Sequence, residues 1–404
     1  MNETIYQLFK NELEKIKSEN SYRFLKTIQA RDGKYVTHQN KKFLNLSSND
    51  YLGFASDKKL HNEFYRRLND SNCVDWYGLG SSSSRLLTGD NTLYAELEQT
   101  IARLYSETNS TAAISAGNKE ALVFNSGYHA NTGIIPALMG NGDLILSDKL
   151  NHASIIDGVR LSRAEHLAYD HLDYGQIINL LSVKPDSFQK VLIVSESVFS
   201  MNGDIADIKK LVEIKNQFNT LLYLDEAHAM GVFGNKGLGI CERDDVIGDV
   251  DIIVGTFGKA LGSLGAFAVV APVLRDYLIN TVRPFIFTTA LPPVILNWNL
   301  FVLTKMVSYN NKREYMQRTA RQLRSALNDA GFQTLGESHI IPVIFDDNER
   351  TIRASNKLYE QGFLIFPIRP PSVPKGSSRV RISLNADIEW IEVKEIPEIL
   401  LSII

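Results

Sequence analysis

Short apolar runs recur through the middle of this chain: Ala121–Phe124, Leu144–Leu146, Val191–Val194, Leu221–Leu224, Ile252–Val254 and Ala266–Val270. From about residue 92 onward, helical patterns fill the intervals between them. That alternation predicts a mostly parallel sheet flanked by helices. Nearer the N-terminus, Ile5, Leu8, Phe9, Leu13 and Ile16 share one helical face, so residues 3 to 20 predict an amphipathic helix packed on the body or on a partner subunit. Asp32-Gly33-Lys34 is a hairpin turn signal between Arg23–Ala30 and Tyr35–Leu46. Beyond Pro292-Pro293 a long charged helical stretch runs to about residue 330, followed by shorter strand and helix patterns up to Ile404. The expected division is a helix and β-hairpin arm over 1–45, a large α/β domain over 46–290 and a smaller α+β domain over 291–404.

Composition narrows the class. The 404 residues are 44% hydrophobic and 22% charged, as in a globular enzyme, and the net charge of -3 offers no field for nucleic acid or an anionic membrane. Cys73 and Cys241 lie far apart without metal-ligand spacing, which predicts neither a disulfide framework nor a metal site and fits a reducing compartment. The N-terminal residues lack an apolar signal segment, and the most apolar window, Leu264 to Leu274, is interrupted by Pro272, so a cytoplasmic location is expected.

The ends of the apolar runs carry the chemistry. Ile252–Val254 leads through the small-residue turn Gly255-Thr256-Phe257-Gly258 to Lys259, an amine placed to form an imine with a carbonyl. Leu221–Leu224 ends at Asp225, a carboxylate where open α/β sheets bind ligands. A pyridoxal 5′-phosphate (PLP) site needs both: a lysine for the Schiff base and an acid that keeps the pyridine nitrogen protonated, making the ring an electron sink. Asn125-Ser126-Gly127-Tyr128-His129 follows another run and opens a helix, offering N–H groups to a phosphate, with Ser126, Gly127 and Tyr128 as contacts. The hydroxyl of Thr256 is in reach of the same phosphate, Ser200 lies just beyond a further strand end, and His152 could stack on the pyridine face. Each has a plainer reading taken singly: Asp225 as a helix N-cap, 125–129 as an ordinary loop, His152 as a structural histidine.

Two other readings fail on physical grounds. Asp225-Glu226-Ala227-His228 matches the metal-binding box of a class of helicases, but Gly33-Lys34 and Gly258-Lys259 are followed by Tyr35 and Ala260, with no hydroxyl placed for magnesium. Gly78-Leu79-Gly80 lacks the third glycine of a dinucleotide fold and follows no clear strand.

From Leu44-Asn45-Leu46-Ser47-Ser48-Asn49-Asp50-Tyr51-Leu52-Gly53 to Arg379-Val380-Arg381-Ile382-Ser383, the chain resembles the α-oxoamine synthases, fold-type I PLP enzymes that condense an amino acid with an acyl thioester and lose CO2. The resemblance implies a mostly parallel seven-stranded sheet and a homodimer with a shared site. It implies catalytic roles for Lys259, Asp225 and His152, with Lys259 on the cofactor aldehyde, Asp225 on the pyridinium nitrogen and His152 on the ring face. His228 would take the phenolic oxygen and Ser200 the same region. Gly127, Tyr128 and Thr256 would take the phosphate, with Thr288 or Thr289 from a second subunit. Ile368-Arg369-Pro370-Pro371-Ser372-Val373-Pro374-Lys375-Gly376 is similar to the C-terminal signature of members that join L-alanine to pimeloyl-CoA or its carrier-protein form. It assigns Arg369 to the amino acid carboxylate with Asn49, while Ser372 lies in the same signature and Arg23 matches an arginine near the acyl substrate. Where the family has Gly-x-Gly-Ser-Gly-Gly-Ser-Arg, this chain has Gly78-Leu79-Gly80-Ser81-Ser82-Ser83-Ser84-Arg85, with serines in place of two glycines. Sister reactions share the cofactor residues: glycine with acetyl-CoA, glycine with succinyl-CoA, or serine with a long-chain acyl-CoA. A non-catalytic scaffold subunit is the alternative of another class.

Overall fold

The structure is a computed structural model that describes residues 2–70, 72–107, 119–183, 188–370 and 372–403. Pro371 of the C-terminal signature therefore lies outside the described residues. Two compact units divide the chain: one holds Met1–Ser48, Met201–Gly203 and Met316–Ile404, the other Asn49–Ser200 and Asp204–Tyr315.

In the first unit a helix over Asn2–Ser18 precedes strands β1 (Ala30–Asp32), β2 (Tyr35–His38) and β3 (Lys41–Asn45). The turn at Gly33 forms as its sequence predicts, with φ at 58°. The first arm of that hairpin is shorter than expected: only Ala30–Asp32 pairs, and 21–29 is irregular. The reason is visible in the side chains, since most of Arg23–Ala30 is exposed and has no buried face to fix a ladder.

The second unit is built on a seven-stranded sheet. Its strands are β4 (Glu120–Phe124), β5 (Leu144–Asp148), β6 (Glu165–Tyr169), β7 (Val191–Glu196), β8 (Leu221–Asp225), β9 (Ile252–Thr256) and β10 (Ala266–Val270). The spatial order is β4-β10-β9-β8-β7-β5-β6, with β10 antiparallel to both neighbours and the other pairs parallel. Strands β5, β9 and β10 are buried at every position, which is why their sequences are continuous apolar runs and not alternating ones. A core joins them to the helices Gly127–Leu138 and Ala153–Leu161 through Ile134, Ile135, Ile155, Val159, Val194 and Val254.

The charged helical stretch after Pro293 is two helices, Pro293–Val307 and Asn310–Asp329, interrupted at Ser308-Tyr309. The C-terminal residues supply β11 (Ile340–Asp346), β12 (Phe363–Leu364), β13 (Pro367–Ile368) and β14 (Ser378–Ser383) to the first unit. There β12 joins the N-terminal strands in the order β1-β2-β3-β12, while β11-β14-β13 form a separate sheet.

Candidate active site

The parallel strands of the second unit end together, and the residues that follow them line one rim. Strands β7 and β8 run in register, so Glu196 and Asp225 are direct neighbours at their carboxyl ends. Asp225 is buried and fully engaged: Asn131 Nδ2 donates to its Oδ2 at 2.7 Å, and the Ala227 N–H donates to Oδ1 at 2.8 Å. Asn131 comes from the helix after β4 and is oriented by the Tyr223 hydroxyl, which donates to its Oδ1 at 2.5 Å. The second bond on Asp225 is the local cap that its position suggests; the first comes from 94 residues away.

Glu196 lies under cover beside it and accepts the backbone N–H of His152 at 2.5 Å. Burial, then the charge of Asp225, pushes its pKa up to about 8, with Lys259 pulling the other way. This carboxyl had no signal in the sequence beyond its place at a strand end. His152 caps the helix Ala153–Leu161 and is exposed as a residue, although the surrounding protein desolvates its ring. Desolvation and then the charge of Lys259 hold the imidazole pKa below its usual value.

Lys259 is half-buried in the turn after β9, where its carbonyl accepts the Gly262 N–H at 2.8 Å. His228 is buried, and its Nδ1 lies 2.6 Å from the Tyr51 hydroxyl. Tyr51 lies 3.1 Å from Asn49 Oδ1, so Asn49 and His228 share one linker that the motif around 44–53 contained but did not explain. Glu226 takes no part: it is fully buried and accepts from Ser197, Ile240 N–H and Cys241 N–H, fastening the Gly239–Cys241 turn. Among the described residues no group of acids, histidines and cysteines could hold a metal.

The phosphate side is built at the start of the helix Gly127–Leu138. The first N–H groups of a helix lack intrahelical acceptors; the Ser126 hydroxyl takes that of His129, and those of Gly127 and Tyr128 extend past the end. A Cβ on Gly127 would lie 4.0 Å from Thr256 Cβ, which puts the N-terminus and Thr256 on the same small space. Thr256 Oγ1 accepts from Gly258 N–H at 3.1 Å and donates to Gly265 O at 3.0 Å. Tyr128 is half-exposed and donates its hydroxyl to Asp157. Asn125 donates to the carbonyl of Thr289 in its own chain at 2.7 Å, which brings the 288–289 segment to the same rim.

That segment is held by the serine loop. Ser81 Oγ donates to Leu291 O, Ala290 N–H donates to Ser83 O, and Ser84 bridges Thr289. Ser83 Oγ also accepts from Thr88 N–H, and Ser82 has φ at 50°.

Ser200 is buried in the loop after β7. His171 fastens that loop to the one bearing His152: Nδ1 lies 3.0 Å from Asp148 Oδ1 and Nε2 lies 2.9 Å from Asp204 Oδ2. Burial lowers the pKa of His171, but bonds to and charges of the two carboxylates outweigh it and push it up to about 9. The ring stands on edge to Phe199, with centroids 4.4 Å apart.

Arg23, Arg369 and Ser372 lie in the first unit, around a cavity of about 490 Å³ also lined by Phe24, Lys26 and Phe366. Arg23 donates to Ser372 Oγ at 2.9 Å, and Arg369 donates to Asn20 O. Lys26 stacks on the Phe366 ring at 4.2 Å. Desolvation first, then the neighbouring cation, lowers the pKa of Lys26 beside Arg369 and of Arg369 beside Arg23.

The donor set of the second unit fits PLP: an amine for its aldehyde, a buried paired carboxylate for its ring nitrogen, and the first N–H groups of a helix, with Thr256 beside them, for its phosphate. Comparisons with known proteins agree. The pattern of the aminotransferase class I and II family matches residues 41–398. An 8-amino-7-oxononanoate synthase from Chlorobaculum parvum is 46% identical over 377 residues, covering 93% of each chain. Serine palmitoyltransferase from S. paucimobilis, solved with a bound PLP–myriocin aldimine, is 27% identical with a TM-score of 0.87, covering 99% of this chain and 97% of that one. An 8-amino-7-oxononanoate synthase from Francisella tularensis is 28% identical with a TM-score of 0.73, covering 89% and 97%.

Proposed function

The chain belongs to the aminotransferase class I and II family, in its α-oxoamine synthase branch, and on that premise we propose that it condenses L-alanine with pimeloyl-CoA, or its carrier-protein form, releasing CO2 and the thiol to give 8-amino-7-oxononanoate. The observation that carries this reading is the similarity to the Chlorobaculum parvum synthase over nearly the whole chain, with Asp225 at the end of β8 and Lys259 in the turn after the adjacent parallel strand β9.

Bound in this site, PLP supplies an aldehyde for the amino group and a protonated ring that withdraws electrons from the alanine Cα. The chain's own residues do the rest. Asp225, held by Asn131 and the Ala227 N–H, keeps a negative charge facing the ring nitrogen. Gly127, Tyr128 and Thr256 bind the phosphate, with Ser126 setting the helix start and Thr288 or Thr289 of a second subunit completing the cradle. His228 and Ser200 take the phenolic oxygen region. Arg369 and Asn49 are the groups that would take the alanine carboxylate. Lys259 removes the Cα proton as general base and later returns one. The new C–C bond forms at the thioester carbonyl, the thiolate leaves and takes a proton, and the alanine carboxylate departs as CO2. His152 orients the ring through these steps, and Arg23 with Ser372 receives the acyl substrate. A homodimer, each subunit lending its 288–289 segment to the other, belongs to the same reading. The sister reaction with serine has support in the likeness to serine palmitoyltransferase.

The test is the visible spectrum of the purified protein, titrated separately with L-alanine, glycine and L-serine before pimeloyl-CoA is added. The largest spectral response with alanine, followed by CO2 release on adding the thioester, is expected. A response favouring serine or glycine moves the substrate within the family. No cofactor band after reconstitution with PLP overturns the reading in favour of a scaffold subunit.

A further inference from the structure

A continuous hydrogen-bonded path runs beneath the candidate site from Asp225 to His152. Asn131 Nδ2 donates to Asp225 Oδ2 at 2.7 Å and to Ser154 Oγ at 2.9 Å. Ser154 Oγ lies 2.8 Å from His152 Nδ1, and the Ser154 backbone N–H lies 3.2 Å from the same nitrogen. Asn131, Ser154 and Tyr223 are all buried, so no water competes for these bonds.

The donor count allows one arrangement. Tyr223 donates to Asn131 Oδ1 and the Asp225 carboxylate can only accept, which fixes both ends of the asparagine amide. Both amide hydrogens are then spent, one on Asp225 and one on Ser154. Having accepted from Asn131, the Ser154 hydroxyl has its single hydrogen free for His152 Nδ1. A second donor, the Ser154 N–H, points at that nitrogen too. Two donors converging on Nδ1 leave no room for a proton there, and a neutral imidazole must carry its proton on Nε2.

We propose that Asn131 and Ser154 are positioning residues that transmit the charge of Asp225 to His152 and lock its imidazole in the tautomer protonated on Nε2, so that His152 meets the reacting molecule as a hydrogen-bond donor and not as a base. The proposal rests on the reading of the site given above, and it assigns the two buried side chains a function in the reaction. Lys259 nearby reinforces the effect, since a cation beside the ring opposes a second proton. The Cα proton therefore has one acceptor, Lys259.

The test is the ring nitrogen spectrum of the full-length holoenzyme labelled with ¹⁵N-histidine, the His152 signals being assigned by their absence in His152→Asn. The expected result is an unprotonated Nδ1 and a protonated Nε2 in the wild type. A proton on Nδ1, or a pair of averaged signals, overturns the proposal. Ser154→Ala, which removes one donor and leaves the backbone N–H, is expected to average the two signals and lower kcat about five-fold, with PLP affinity unchanged by absorbance titration. A Ser154→Ala spectrum identical to wild type overturns the part given to the hydroxyl. Should that variant not fold, the wild-type spectrum still decides the tautomer. Lack of a cofactor band in the same sample would remove the proposed function independently, because the ring signals can be read with or without PLP.

Discussion

At the carboxyl ends of β7 and β8 two acids stand side by side under cover, and each is supplied with donors: Asn131 and a backbone N–H for Asp225, the His152 N–H for Glu196. The cavity of the other unit is built the opposite way. Arg23, Lys26 and Arg369 face it, and no acidic side chain stands among the described residues that line it. The first region also sets like charges together, but it meets them from within, with donors on both acids, Lys259 opposite and Glu196 pushed toward its neutral form, so it is shaped before any ligand arrives. The second holds like charges against one another, and an anion from outside is what relieves them. On the proposed function, the contrast separates a cofactor site, fixed in geometry, from a substrate site whose affinity resides in its cations.

The severest way to break the contrast is to remove the reactive amine from the fixed region. Lys259→Ala should cost on the order of 10⁴-fold in turnover, read as product formed per active site, while leaving the melting temperature near that of wild type. Multiple turnover at an undiminished rate would show that Lys259 is not the base. On the other side, Arg369→Ala should raise KM for L-alanine by about 100-fold, as expected when a carboxylate loses a charge-assisted pair, with the ligand-free protein no less stable. A drop in stability comparable to the lost affinity would mean that Arg369 is structural.

The His171 bridge sharpens the comparison through pH. Its folded pKa, about 9, lies above the ordinary histidine value of 6.5, so the stability it contributes is fully present below about pH 6.5 and is lost as pH rises toward 9. Glu196, raised from 4.5 to about 8, acts in the same direction over a lower range, complete below about pH 4.5 and gone by about pH 8. His171→Gln should therefore cost about 2 kcal/mol in denaturation at pH 6 and little at pH 10. An equal loss at both pH values would mean that the imidazolium charge is unimportant. The smallest effect is expected in the cationic cavity, where Lys26→Met should stabilise the ligand-free protein by about 0.5 kcal/mol and weaken its gain in melting temperature with pimelate.

The sheet was legible because six of its strands are buried runs, and the two key residues were legible because Asp225 ends one of them and Lys259 follows the short turn after another. Edge strand β6 was not, since Glu165, His166 and Ala168 are exposed and leave no apolar run. The break at Ser308-Tyr309 was equally hidden, because both flanking segments have helical composition and neither glycine nor proline marks the join. Asn131, Ser154, Tyr223 and Glu196 escaped for a different reason. Their roles arise from partners between 23 and 94 residues distant, and such pairings belong to the folded sheet and not to any local pattern.

Ser82 holds a left-handed backbone that glycine would adopt without steric cost. Its neighbours are tied down by Ser81 to Leu291, Ser83 to Ala290 and Thr88, and Ser84 to Thr289, so the loop's path is over-determined and the identity of residue 82 is released from dictating it. A search for this loop by glycine spacing would pass over this chain. The more durable signature is the ladder of anchors on either side, which is also where a designer wishing to move the 288–289 segment would have to begin.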